Sequence, residues 1–279
     1  MDGTQGARGA GLSPSSGLVA VRRHRDMIRE LAVTEFKLKY QGSVLGYIWS
    51  IVKPLLMFAV LYIVFTHVVK LGANIPHYAQ QLLLGIVLWT FFTDSTVIAI
   101  SSIVDRGELI RKVHFPRIVI PVSTSVSALI TLVLNFVVVL AFIVAGGVSL
   151  RPSGLMLLPL LIEFYVLALG CSLLLAALYV RFRDFKHIWE VLIQALFYAT
   201  PIIYPLSILP GGLATLFALS PIAQIVEDAR WALISPAAET SGEVLHWPLL
   251  LVPYLFPVVV LAIGYRYFES AAAGFAEEI

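Results

Sequence analysis

Ionisable side chains interrupt the long apolar stretches of this sequence at four positions: Lys53, Asp94, Glu163 and Glu190. A charge within a membrane is costly and usually marks a functional group or a charged partner. Lys53 and Glu190 lie close enough to the ends of their stretches for their side chains to reach water, whereas Asp94 and Glu163 lie deeper or near the opposite end. Such carboxylates could couple transport to protons, or they could be structural partners or line a wet cavity.

The sequence lacks the motifs of the commoner enzyme mechanisms. No Lys precedes a Ser or Thr, so the chain contains no P-loop and cannot hydrolyse ATP by that route. The six histidines never approach the i, i+4 spacing of a helical zinc site, and the single Cys171 excludes a cysteine metal centre and an intrachain disulfide. No G-x-S-x-G or DxD pattern occurs, which weakens an enzyme interpretation. We therefore expect no catalytic residue, metal or bound cofactor on this chain.

The elements that must position these side chains are membrane helices. Hydrophobic residues make up 59% of the 279 residues, charged residues only 13%, and the mean hydropathy is +0.91. A soluble domain has about 45–50% apolar and about 25% charged residues. The composition therefore excludes an ordinary cytosolic enzyme, a disordered protein and a nucleic-acid binder, and it predicts an all-α polytopic membrane protein.

Six segments are long and apolar enough to be membrane helices, which need about 20 mostly apolar residues. They cover 44–69, 80–103, 118–146, 154–180, 188–204 and 247–268. Lys and Arg concentrate before the first segment and in the loops after the second and the fourth, which places these loops and both termini in the cytoplasm. Residues 41–279 are thus predicted to form a six-span transmembrane domain.

Three segments outside the spans have distinct characters. Residues 1–16 are small and polar and are predicted to form a disordered tail. Residues 17–40 form an amphipathic helix along the cytoplasmic interface, either as a topology anchor or as a contact for a partner protein. Residues 205–234 combine short apolar pieces with prolines, which break helices. We expect this segment to be a re-entrant gate on the outer side, with a folded surface loop as the alternative.

Aromatic residues are abundant, at 11% of the chain. Those near the span ends are typical of the interfacial belt, but others could form a pore wall, because aromatic faces bind the C–H faces of sugars. The pore candidates on spans one and five are Phe58, Tyr62, Phe65, Phe197, Tyr198 and Tyr204. Gly42 and Gly46 either allow close helix packing or form a turn before span one.

One segment, FKLKYQGSVLGYIWSIVKPL at 36–55, closely resembles the N-terminal signature of ABC-2-type polysaccharide export permeases. That family has a basic residue and Tyr, then Ser, Leu-Gly, Trp and Pro-Leu at this spacing. Here these residues are Lys39-Tyr40, Ser43, Leu45-Gly46, Trp49 and Pro54-Leu55, with Lys39 where the family often has Arg. Three further stretches agree in order: ELIRKVHFPRIVIPV at 108–122, RDFKHIWEVLIQALFYATPIIYP at 183–205 and SPIAQIVEDARWAL at 220–233.

The resemblance implies the membrane subunit of an ABC transporter in the bacterial inner membrane. Two copies of the permease would pair with two copies of a separate ATPase subunit, which would carry ATP and Mg²⁺. The interface helix and the loop before span three would dock on the ATPase, unless the loop is only a solvated basic loop that obeys the positive-inside rule. The coupling residues would be Arg106, Glu108, Ile110, Arg111, Lys112 and Phe115.

The resemblance also implies a substrate, a polysaccharide or polyol phosphate on a lipid carrier. A lipid diphosphate is anionic, and it would meet charge and hydrogen bonds at the cytoplasmic mouth. The residues that would contact it are Lys37, Lys39, Tyr40, Gln41, Ser43 and Gly46. Spans one and five would line the channel, and residues 205–234 would gate its outer end. O-antigen, teichoic acid, capsule and galactan exporters share these motifs, and the overall sequence leans slightly towards an actinobacterial galactan.

Three other functions fit parts of the pattern. An ABC-2 exporter of drugs or small lipids would share the topology, although the Tyr–Ser–Leu-Gly–Trp–Pro block favours the polysaccharide branch. A secondary transporter would couple transport to Asp94 and Glu163 and would need no ATPase. A membrane-embedded glycan-processing enzyme would convert its substrate without ATP.

Overall fold

The computed structural model describes residues 14–72, 75–112 and 115–278, and all regular structure within these ranges is helical. The α-helices are α1 Pro14–Tyr40, α2 Trp49–Ile63, α3 Tyr78–Asp105, α4 Gly107–Lys112, α5 Val119–Ala145, α6 Leu157–Arg181, α7 Phe185–Ala199, α8 Gly211–Ala218, α9 Pro221–Leu233, α10 Ser241–Val244, α11 Leu251–Ala272 and α12 Phe275–Glu278. Short 3-10 turns, Gly46–Ile48 and Pro152–Met156, precede α2 and α6, and the π-helical residues Val64–Val68 extend α2. Of the predicted disordered tail, residues 1–13 lie outside the described ranges, and α1 already begins at Pro14.

Five segments of the described chain are long and apolar enough to cross a membrane. They are Gly46–Val68, Tyr78–Asp105, Val119–Ala145, Pro152–Arg181 and Leu251–Ala272. These coincide with predicted spans one to four and six, so the all-α membrane architecture is confirmed. The predicted fifth span, 188–204, coincides instead with α7, which is 15 residues and about 22 Å long, and with the loop after it. α7 ends there because Thr200, which precedes Pro201, has an extended backbone.

α3 is the most buried of the five candidate spans, and α2 is the least buried. Aromatic side chains of α3 meet Phe164 of α6 and Phe197 of α7, with ring centroids 5.3–6.0 Å apart. The α3 residues in these contacts are Trp89, Phe91 and Phe92. Aromatic pairs at such distances contribute roughly 0.5–1.5 kcal/mol each beyond the burial of their area. The aromatic cluster therefore fixes α3 as the centre of the bundle.

α6 and α11 are in direct backbone contact. A Cβ atom at Gly170 would lie 2.6 Å from the backbone nitrogen of Leu261, and one at Gly264 would collide with the carbonyl of Gly170. Small residues on both helices allow this approach, as is common between membrane helices. The two helices therefore form a closely joined pair.

The first turn of α2 is held by a hydrogen bond from another helix. Pro54 has no N–H, so the carbonyl of Ser50, four residues earlier, lacks its partner within α2. Asn135 of α5 supplies a donor, because its Nδ2 lies 3.2 Å from Ser50 O as well as 3.0 Å from Thr131 O. Ser50 and Asn135 are both buried. This bond therefore fixes the start of α2 against α5.

The loop after α7 is tied to α9 by a buried ion pair. Glu227 Oε1 lies 2.9 Å from a guanidinium nitrogen of Arg230, and the two side chains are only 1% and 2% exposed. Arg230 donates to the carbonyls of Ile202 at 2.6 Å and Tyr204 at 3.4 Å, and the Leu206 N–H donates to Glu227 at 3.1 Å. The pair thus satisfies backbone groups that a proline-rich loop leaves without helical partners.

Candidate functional site

A sharp turn between α1 and α2 forms one wall of the candidate site. Gly42 and Gly46 have φ of +77° and +50°, and a Cβ atom on either would meet no neighbour within 4 Å. Positive φ favours glycine, so these glycines form a turn and not a helix-packing contact. The ring of Phe36 stacks on that of Tyr47, with centroids 5.1 Å apart, across this turn.

Lys39, Ser43, Trp49 and Lys53 line a pocket of about 270 Å³ beside the turn, which we call the lysine pocket. Trp49 and Lys53 are four residues apart on α2 and therefore share a face of that helix. Lys53 is exposed, and within the described ranges no carboxylate lies within 4 Å of its ammonium group. Two ammonium groups and a hydroxyl around one space can bind a phosphate-like anion by charge-assisted hydrogen bonds.

Lys39 is paired across helices with Asp94 of α3. Its Nζ lies 2.6 Å from Asp94 Oδ2, and the two side chains are 27% and 28% exposed. Asp94 lies about 16 Å along α3 from its end at Asp105, so the pair lies well away from the end of that helix. The pairing gives Asp94 a partner that the sequence alone does not identify.

Of the other residues predicted for the cytoplasmic mouth, Lys37, Gln41 and Gly46 do not line the lysine pocket, and Gly46 belongs to the glycine turn. The side chain of Tyr40 lies outside the described part of the chain. Lys37 and Gln41 are exposed. Sequence reasoning missed Trp49 and Lys53 as members of the pocket. The available signal was their i, i+4 spacing directly after the glycine turn.

A larger cavity of about 680 Å³ lies between α2, α3 and α7, and we call it the side cavity. Its α2 residues are Leu56, Met57, Val60 and Leu61, so it begins one helix turn beyond Lys53. Its polar residues are Thr93, Glu190 and Gln194. The lysine pocket and the side cavity therefore follow one another along α2.

Two of the six predicted channel aromatics, Phe197 and Tyr198, line the side cavity. Trp89 of α3 lines it as well and was not among the predicted residues. Tyr204 donates its hydroxyl to the carbonyl of Tyr198 at 3.0 Å and so braces the end of α7. The structure thus brings aromatic rings from α3 and α7 to one cavity.

The predicted aromatics of α2 and its extension contact other parts of the bundle. Phe58 packs edge-on against Phe142 of α5, with centroids 5.5 Å apart, and Tyr62 stacks on Tyr78 at 6.4 Å. Phe65 packs against the buried core. The part of α2 that lines the side cavity is aliphatic.

Arg106, predicted to contact an ATPase, is bound within the protein. Its guanidinium forms an ion pair with Glu35 of α1 and lies 3.3 Å from Ser123 Oγ of α5. Burial raises the pKa of Glu35 from its ordinary value of 4.5 to about 7, although Arg106 acts in the opposite direction. This pair joins α1 to the end of α3.

α4 presents the charged part of the predicted coupling loop to solvent. Glu108 and Lys112 form an exposed i, i+4 ion pair of 2.6 Å, and Arg111 is exposed. Pairs of this kind contribute only about 0.3–0.5 kcal/mol to stability. These charges are therefore available to a partner.

The apolar residues predicted in the coupling loop face inwards. Ile110 is buried and Phe115 is partly buried, and both pack with Phe268 of α11 and Phe275 of α12. The C-terminal helices thus anchor α4. The exposed large apolar side chain on α4 is Leu109.

Glu163, the second deep carboxylate, lines a separate pocket of about 500 Å³ with Asp228 and Tyr254. Tyr254 donates its hydroxyl to Asp228 at 2.8 Å. Glu163 and Asp94 therefore do not share a site. Among the described residues, no group of three or more His, Cys, Asp or Glu could hold a metal ion.

A family model and two named relatives point to the same class of membrane transporter. Residues 27–234 match the ABC-2 type transporter family. The O-antigen export system permease protein RfbA of Myxococcus xanthus is 31% identical over 260 residues, which cover 92% of this chain and 96% of that protein. The protein of the same name from Klebsiella pneumoniae is 26% identical over 253 residues, which cover 90% and 94%. The matched range includes the lysine pocket, the side cavity and α4.

Proposed function

Since the chain belongs to the ABC-2 type transporter family and is a membrane component of a transporter, we propose that it exports a lipid-linked polysaccharide from the cytoplasm across the bacterial inner membrane. ATP hydrolysis on a separate subunit drives the export. The similar proteins are named as O-antigen export permeases, which supports a glycan of the O-antigen, teichoic acid or galactan type.

The observation that carries this proposal is the order of the two sites along α2. A lipid-linked glycan has an anionic diphosphate between its apolar chain and its first sugar. Lys39 and Lys53 suit the diphosphate. The side cavity beyond them offers aromatic rings together with Glu190 and Gln194, which suit the C–H faces and hydroxyls of sugars. A neutral or cationic drug would not need two lysines at this point.

The proposed topology has six crossings. α7 follows the basic residues Arg181, Arg183 and Lys186, which belong on the cytoplasmic side. α7 is about 22 Å long, and the non-helical residues 200–205 extend it towards the thickness of a hydrocarbon core of about 30 Å. Irregular backbone is tolerated at this depth only when its polar groups are satisfied. The Glu227–Arg230 pair does this, and α8 and α9 then form the outer gate.

The proposed assembly is a homodimer of this chain with two ATPase subunits. α2 and α7 expose apolar side chains such as Ile63 and Val191, at 57% and 68%, and these faces meet across the dimer. The exposed face of α4, together with α1, docks on the ATPase. The ion pair between Glu35 and Arg106 makes α1 and the base of α3 move together when the ATPase closes.

The export test uses substitutions in the lysine pocket. Lys39→Gln and Lys53→Gln should each reduce export by at least tenfold in cells that lack their own permease, while the level of inserted protein stays the same. Lys39→Arg keeps the charge and should retain export. Lys70→Gln, which removes an exposed lysine at the far end of α2, is the matched control. Normal export by both pocket variants would contradict the proposal.

The partner test is purification of the tagged chain from its native membranes. A stoichiometric protein with a P-loop should co-purify, and Leu109→Glu on α4 should weaken its retention. If no ATPase were recovered even after mild cross-linking, the assembly would be wrong.

A further inference from the structure

The ion pair between Lys39 and Asp94 occupies the place that an anionic ligand of the lysine pocket would take. Lys39 lines the pocket, and its ammonium group lies 2.6 Å from the Asp94 carboxylate. We infer that Asp94 is an internal substitute for the substrate's diphosphate, which neutralises Lys39 in the empty transporter and is displaced when the head group binds. This inference rests on the proposed function.

The exposure of the pair makes displacement feasible. A fully buried pair is difficult to separate, because each charge would be left without a partner in a medium of low polarity. Here the two side chains are 27% and 28% exposed. Lys39 lines the lysine pocket, so the pair borders the space that a ligand would enter. An ion pair in contact with water contributes little to stability, so a ligand with two phosphates can compete with one carboxylate.

The charges in the pocket also favour displacement. Lys53 faces the same space and has no carboxylate within 4 Å among the described residues. The empty pocket therefore holds one neutralised lysine and one available lysine. A diphosphate that binds first to Lys53 reaches Lys39 by exchanging places with Asp94, and both ammonium groups are then neutralised by the ligand.

Displacement of Asp94 would also change how α1 is attached to the rest of the bundle. Glu35 and Lys39 are one helix turn apart on α1. Lys39 pairs with Asp94 of α3, and Glu35 pairs with Arg106, the residue directly after α3. Binding of the head group opens one of these two links and leaves the other, which lies next to α4. Asp94 is thus a specificity residue. Its separation from Lys39 changes how α1 is held, and α1 belongs to the surface that docks on the ATPase.

The direct test is binding of farnesyl diphosphate to the full chain, purified in lipid nanodiscs. Asp94→Asn should bind this probe about fivefold more tightly than the wild type, since a partly exposed pair is worth up to about a factor of five. Lys39→Gln should weaken binding, and adding Asp94→Asn to Lys39→Gln should give no gain. Equal or weaker binding by Asp94→Asn would overturn the inference.

Control ligands and variants separate the possible failures. Asp94→Glu keeps the carboxylate and should bind as the wild type does. Asp105→Asn, which removes an exposed carboxylate at the end of α3, should not reproduce the gain. Inorganic pyrophosphate should bind at least tenfold more weakly than farnesyl diphosphate, and equal binding would refute a lipid head group as the ligand.

The two proposals fail in different ways. If all variants bind the probe alike while Lys39→Gln abolishes export, Asp94 is not a competitor but the export function stands. If neither the wild type nor Asp94→Asn binds the probe, the displacement of Asp94 by the head group is refuted. The proposed export function is then tested separately by the export assay.

Discussion

Replacing Asn135 by Leu tests how the start of α2 is held. Leucine keeps the branching of asparagine but cannot donate to Ser50 O, which lies 3.2 Å from Asn135 Nδ2. Pro54 provides no N–H, and both Ser50 and Asn135 are buried, so the variant leaves a carbonyl without a donor. The bond from Asn135 to Thr131 O is a second bond to a carbonyl that the α5 backbone already serves.

The expected loss of stability is about 1 kcal/mol. A buried acceptor left unsatisfied costs about 1–3 kcal/mol in soluble proteins, but hydrogen bonds between membrane helices average about 0.6 and reach about 1.7 kcal/mol. For a chain of this size, about 1 kcal/mol corresponds to a decrease of about 2–4 °C in Tm. Thermal unfolding in one detergent, followed by scanning fluorimetry, resolves a change of this size.

A second substitution, Pro54→Ala, tests whether the lost hydrogen bond to Ser50 O causes the loss of stability. Pro54→Ala restores an N–H that can donate to Ser50 O within α2, so adding Pro54→Ala to Asn135→Leu should recover most of the lost Tm. Thr124→Val serves as the control, because the Thr124 hydroxyl donates only within α5, to Pro121 O at 2.8 Å. Its effect should be unchanged by Pro54→Ala. If the losses of Asn135→Leu and Pro54→Ala simply added, the account of this bond would be wrong.

Three further outcomes are expected. Gly170→Leu should abolish recovery of monodisperse protein in gel filtration, because even a Cβ atom there would lie 2.6 Å from Leu261 N, whereas Gly212→Ala, which meets open space, should behave as wild type. Phe275→Ala should destabilise the protein by about 3 kcal/mol in denaturant titrations, since it leaves a cavity beside α4. The folded state raises the pKa of Glu35 from 4.5 to about 7, so it retains a proton that the unfolded chain releases. The wild-type Tm should therefore fall relative to that of Glu35→Gln as pH rises across this window.

The membrane helices could be predicted from sequence because they depend on local composition. Runs of about 20 apolar residues define a span wherever their partners lie, and five predicted spans coincide with helices. The end of α7 was harder to predict from the sequence, because the helix stops before Pro201 although the apolar pattern continues. Hydropathy registers the apolar residues of the TPIIYP segment but not the loss of helical geometry.

The pairing of side chains could not be predicted in the same way. Lys39 and Asp94 are 55 residues apart, and no local pattern identifies such a partner. Phe58 and Tyr62 were predicted to line a channel because aromatic rings bind sugars. The sequence of α2 is apolar on most sides, so it does not show that these rings face α5 and α3 instead. Ile110 likewise lies in a short charged helix, and it is buried because α11 and α12 bring Phe268 and Phe275 into the same cluster.

The contacts of α9 with the loop after α7 have a consequence for biosynthesis. The carbonyl of Ile202 receives its hydrogen bond from Arg230, 28 residues later in the chain. At about 5–20 residues per second, the ribosome needs a few seconds to add these residues. During that interval the carbonyls of Ile202 and Tyr204 lack the donors that Arg230 provides, which is unfavourable in lipid. In the proposed topology with six crossings, we therefore expect the insertion machinery to keep α7 and its loop in contact with water until α9 has been made.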